Sequence, residues 1–139
     1  MDSIKPVVID FETFGIEGRP KYPPIPVGVA IKYHGKAAKY YAFGHPSGNN
    51  CCWSEAAKAL EDAYLCKDGI LFQNAKFDLD VAETWFGLTP PAWDKVHDTM
   101  FLLFLDAGLI VSGAFMSPLA GVRAMSGNLP EQGEFLEVY

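Results

Sequence analysis

A chain of 139 residues, half of them apolar, can bury one compact core and not two, and 20% charged residues exclude a disordered tail protein. No apolar run reaches the ~18 residues a membrane span needs, because Asp106 interrupts the best candidate, Met100 to Val111. Seventeen acids against eleven Lys and Arg give a net charge of −6, which taken alone disfavours a polyanionic partner.

The first residues, Met1 to Lys5, lack a basic cap followed by an apolar stretch and a small-residue cleavage site, which predicts no export. Cys51, Cys52 and Cys66 are odd in number, and two are neighbours, which is no disulfide framework. A reducing, cytoplasmic setting is the expectation. The charge is unevenly spread: Gly18 to Ser54 holds no acid, and Arg19, Lys21, Lys32, Lys36 and Lys39 make it a basic ribbon beside an acidic remainder. That distribution suits a phosphate-contacting edge next to a carboxylate-rich pocket, and equally a solvated hairpin with ordinary lysines.

In chain order, Lys5 to Phe11 is an unbroken apolar run of strand length, which predicts a central strand buried on both faces. Pro20, Pro23, Pro24 and Pro26 mark an irregular extended connection. Val27 to Tyr33 and Lys36 to Phe43 read as strands of a hairpin turning tightly at His34-Gly35. A polar loop from Gly44 to Cys52 leads to a helix from Ser54 with Ala57, Leu60, Ala63 and Tyr64 on one face, and Gly69 is its stop. Ile70 to Gln73 is a short strand, and Lys76 to Phe86 a helix closed by Gly87. Lys95 to His97 is a strand, and Asp98 to Ala107 an apolar helix. The predicted fold is α/β, a mixed sheet with helices against it, over 1–106, followed by an atypical tail over 107–139.

Asp10 and Glu12 flank Phe11 near the end of the first strand. Side chains alternate across a strand, so the two carboxylates share a face, roughly 6 to 7 Å apart along the chain. Like charges so placed favour a cation, and hard divalent ions take oxygen ligands. Asp78 enters at a second strand-to-helix junction, Gln73 to Asp78, where a helix N-terminus also favours a carboxylate. A third acidic junction is Val96-His97-Asp98-Thr99. Ligands gather at strand ends of open α/β sheets.

Val8-Ile9-Asp10-Phe11-Glu12-Thr13 resembles the first motif of the DEDD superfamily of 3′ to 5′ exonucleases, which has an RNase H-like fold. Gln73-Asn74-Ala75-Lys76-Phe77-Asp78 resembles the second, in which an Asn precedes a (Phe or Tyr)-Asp pair. His97-Asp98-Thr99-Met100 with its apolar helix is similar to the next segment of proofreading domains of family A DNA polymerases. The resemblance implies a nuclease using Mg²⁺ or Mn²⁺ on the 3′ end of single-stranded DNA or RNA. Asp10, Glu12 and Asp78 would be metal ligands, Thr13, Phe14 and Asn74 would meet substrate, and Asp98 would support the site without holding metal. It also implies a polymerase domain or partner subunit.

The family's third motif, Tyr-x-x-x-Asp or His-x-x-x-x-Asp, has no counterpart. Asp106 is the last aspartate, and Glu131, Glu134 and Glu137 have no Tyr or His at the required offset. The chain therefore reads as truncated or altered at its C-terminal side, by fragmentation or a shifted reading frame. Missing one ligand predicts impaired catalysis. The alternative is a catalytically silent nucleic-acid-binding or interaction domain. The helix from Asp98 would promote self-association if left uncovered.

Overall fold

The computed structural model describes residues 3–106, so the expected tail over 107–139 lies outside the described residues. Two compact units divide the chain, Met1–His97 and Asp98–Tyr139. The first is built on β1 (Val7–Thr13), β2 (Pro26–Lys32), β3 (Lys39–Ala42), α1 (Trp53–Tyr64), β4 (Ile70–Phe72) and α2 (Ala75–Phe86). A 3-10 turn at Trp93–Lys95 leads into β5 (Val96–Asp98). The sheet order is β3-β2-β1-β4-β5, with β1 antiparallel to β2 and parallel to β4.

β1 is central, but its two faces differ. Val7, Ile9 and Phe11 are buried, whereas Asp10 and Glu12 are exposed and Val8 is half-buried. The expectation of burial on both faces is corrected by where the helices lie. Leu60 and Ala63 of α1 and Ala75, Leu79 and Ala82 of α2 join one core with Val7, Ile9, Phe11, Val29 and Ile31. Both helices thus cover the same face, the one carrying the odd-numbered residues of β1.

The hairpin turn forms as expected: Gly35 takes φ +71°, and the Lys36 N–H donates to the Tyr33 carbonyl at 3.1 Å. Ladder pairing is shorter than expected. It starts at Ile31 opposite Lys39, and residues 33–38, with a turn at His34-Gly35, lie outside the ladder.

α1 begins one residue before the expected Ser54, where the Cys52 N–H donates to Glu55 Oε2 at 2.8 Å. α2 ends at Gly87 in the left-handed region, φ +66°, with the N–H groups of Gly87 and Leu88 donating to Glu83 and Ala82 carbonyls. Aromatic packing closes the core between these helices. Trp53 stacks on Phe86 at 4.5 Å, and Phe86 lies 5.9 Å from Phe11.

In the second unit, Asp98 precedes α3 (Thr99–Asp106). Its Oδ1 accepts the Met100 N–H at 2.9 Å and the Phe101 N–H at 3.4 Å, the contact of an N-terminal cap. No helix among the described residues is long and apolar enough to cross a membrane.

The Tyr64 hydroxyl is buried with no hydrogen-bond partner among the described residues. Tyr64→Phe is expected to stabilise the protein by about 1 kcal/mol, by removing a buried group that loses its water. Urea unfolding checks this: the midpoint rises with unchanged slope, and a fall would reveal a partner for the hydroxyl.

Candidate active site

Asp10 and Glu12 lie opposite Ala30 and Gly28 of β2, and the Tyr40 hydroxyl lies over Gly28. The register shifts between Glu12 and Thr13, a bulge of the kind that re-aims side chains beside functional sites. Partial burial raises the Asp10 pKa above the ordinary carboxylate value, and the Glu12 charge raises it further.

Asp78 reaches this segment from α2. β4 pairs with β1 only at Val7 and Val8 and ends at Phe72, while β1 runs on to Thr13. The overhanging strand has lost its ladder partner on that side. Asp78 takes the place of that partner: its Oδ1 accepts the Phe11 N–H at 3.2 Å, and the residue is only 3% exposed. The carboxylate therefore meets the main chain at the residue between Asp10 and Glu12. Its charge also helps to raise the pKa of Tyr22 and Tyr64. Among the described residues, no three His, Cys, Asp or Glu side chains are gathered closely enough to hold one ion.

Asn74 is the residue from which α2 starts, and its carbonyl accepts the Phe77 and Asp78 N–H groups at 3.0 and 3.3 Å. It thereby fixes the turn that presents Asp78. Thr13 donates its hydroxyl to the Phe14 carbonyl at 2.7 Å. Phe14 is 50% exposed, and its N–H donates to the Ile25 carbonyl at 3.0 Å.

Phe14 borders a largely apolar cleft of about 510 Å³, walled by the proline-rich loop and by Trp85 of α2. That loop is latched to α2 rather than loose. Tyr22 donates to Asp80 Oδ2 at 2.8 Å, Lys76 pairs with the same oxygen at 2.8 Å, and Trp85 Nε1 donates to the Pro23 carbonyl at 3.2 Å. Burial comes first, and the Asp80 contact second, in pushing the Tyr22 pKa up to about 12. Lys76 is 81% exposed and pairs with Asp80 within α2, as a solvated helix lysine does.

Asp98 caps α3, and His97 Nε2 lies 3.1 Å from the Asp68 carbonyl. Sequence reasoning missed Tyr40 and His45. Their contact at 2.6 Å lies on the face that carries Asp10 and Glu12, because Tyr40 pairs with Ala30, the neighbour of Asp10. The signal available in the sequence was strand alternation, which separates Tyr40 from Lys39 and Tyr41.

No family model matches the chain. A stretch of 37 residues, 27% of the chain, is 51% identical to the bifunctional enzyme NodQ of Rhizobium sp. (strain BR816) and covers 6% of that protein.

Two predictions follow from the carboxylates. A raised folded pKa means that the native state holds the Asp10 proton more tightly than the unfolded chain, so stability falls as pH rises from the ordinary value of 3.8 through the raised one. Asp10→Asn is therefore expected to raise the melting temperature at neutral pH and to leave it unchanged near about pH 2.5, where aspartates are protonated in both states. Thermal unfolding across this range checks the sign. Asp78→Ala orphans the buried Phe11 N–H and is expected to cost about 2 kcal/mol, whereas Asp78→Asn keeps an acceptor and most of the stability. Denaturant unfolding of both variants separates the structural contact from the charge.

Proposed function

We propose that this chain carries a metal-dependent 3′ to 5′ exonuclease domain of the DEDD type, with an RNase H-like sheet, acting on single-stranded DNA. The observation that carries the reading is the Asp78 hydrogen bond to Phe11, which draws a carboxylate distant in sequence onto the strand segment bearing Asp10 and Glu12. The strand order, with a parallel β4 beside an antiparallel β1-β2-β3 set, supports the finer fold assignment.

Asp10, Glu12 and Asp78 would hold Mg²⁺ or Mn²⁺. The oxygen-only donor set fits a hard divalent ion. When bound, such ions acidify a water and stabilise charge on the attacking and leaving oxygens of a phosphodiester.

The chain's own groups bind and orient the strand. Phe14, half exposed at the mouth of an apolar cleft, offers a ring face to an unpaired terminal base, and stacking of that kind accepts any base. Arg19 and Lys21 lie on the loop that walls the cleft, where cations suit the phosphates of the same strand. Asn74 sets the turn that aims Asp78.

A second reading, a silent nucleic-acid-binding domain, is favoured by the lack of any gathered three-ligand set among the described residues. Digestion of 5′-labelled single-stranded DNA with Mg²⁺ or Mn²⁺ separates the two. The exonuclease reading expects stepwise shortening from the 3′ end that the Asp10→Ala, Glu12→Ala double variant lowers by at least ~100-fold. Salt-sensitive binding without cleavage would support the silent domain, and equal digestion by both proteins would remove the site assignment.

A further inference from the structure

On the face that carries Asp10 and Glu12, β3 contributes Tyr40, and that side chain leans across β2 rather than away from it. Its hydroxyl fills the space that a Cβ at position 28 would need, and Gly28 is the residue directly opposite Glu12. A phenol rooted two strands from β1 is thereby brought to about one strand spacing, ~5 Å, from the Glu12 main chain. The glycine is thus a cradle for the hydroxyl.

His45 holds the other side of that oxygen. Its Nε2 lies 2.6 Å from the Tyr40 hydroxyl, with the two rings edge to face. The imidazole is itself placed by a tied loop. The His45 N–H donates to Asn49 Oδ1 at 2.8 Å, and Asn49 Nδ2 returns a bond to the His45 carbonyl at 3.2 Å. Asn50 bridges the Ala42 N–H and the Tyr40 carbonyl, both at 2.8 Å.

The direction of the chain of hydrogen bonds follows from its ends. Carboxylates and phosphates only accept, so a polar atom facing them must donate. Burial, and then the Glu12 charge, keep the phenol protonated. If His45 Nε2–H donates to the Tyr40 oxygen, the phenol proton is free to point away from β3, toward the carboxylate side.

We propose that Tyr40 donates a hydrogen bond to a non-bridging phosphate oxygen of a polynucleotide bound at the Asp10–Glu12 carboxylates, and that His45 is the positioning residue that orients it. This rests on the exonuclease reading of those carboxylates. It extends the site from β1 onto β3 and makes the loop 43–51 part of strand binding.

Fluorescence anisotropy of 5′-fluorescein hexathymidylate in Ca²⁺ tests it without requiring turnover. Tyr40→Phe keeps the ring over Gly28 and removes only the donor, and is expected to weaken binding by about 10-fold. His45→Ala should weaken it similarly. His45→Gln, whose amide N–H can still donate to Tyr40, should recover most of the loss, a rescue that a purely structural imidazole would not show. Unchanged binding by Tyr40→Phe, beside loss in the Asp10→Ala, Glu12→Ala variant, would overturn the proposal and leave the carboxylate site standing. A His45→Gln variant as weak as His45→Ala would overturn the positioning role. Equal binding by the wild-type protein and the carboxylate double variant would overturn both this proposal and the nuclease reading.

Discussion

One hydrogen bond organises the site: the buried Asp78 carboxylate accepts the N–H of Phe11 where β1 has outrun β4. An N–H on an overhanging central strand must find an acceptor, and water cannot serve one that is buried under a helix. The α2 N-terminus supplies the carboxylate, so a local need of the backbone brings Asp78 to the main chain between Asp10 and Glu12. The geometry follows from strand lengths. Had β4 continued alongside residues 9–11, the ladder would have claimed that N–H.

The rest of the first unit supports this junction. Both helices pack on the face of Ile9 and Phe11, which leaves the other face of β1 free of α1 and α2 at Asp10 and Glu12. On β2, Ala30 and Gly28 lie opposite the carboxylates, and the glycine admits the Tyr40 hydroxyl to that face. The proline-rich loop is held against α2 by the Tyr22–Asp80 and Trp85–Pro23 hydrogen bonds, which shape the wall of the cleft beside Phe14.

Element types were legible from local pattern. β-branched and apolar runs marked β1 and β2, and apolar residues at helical spacing marked α1 and α2, with Gly87 as the stop. Two features were not legible, for physical reasons. An apolar run cannot say whether one or two faces of its strand are covered, and Val8 and Asp10 show that α1 and α2 cover one. The hairpin pairs only from Ile31 and Lys39, leaving residues 33–38 outside the ladder, an extent that period-two patterning does not encode.

Among the site residues, alternation alone put Asp10 and Glu12 on one face, and the strand-to-helix junction put Asp78 at the first turn of α2. The acceptor role of Asp78 needed the mismatch in strand lengths, and the Tyr40–His45 contact needed a loop closure from residue 45 back to residue 40. The proposed function requires Asp10, Glu12 and Asp78 to share one cation. Titration of the ¹⁵N-labelled protein with Mn²⁺ tests it most directly: amide resonances of residues 10–12 and 78 should broaden first and together. Broadening that begins elsewhere, or that separates residues 10–12 from 78, would contradict it.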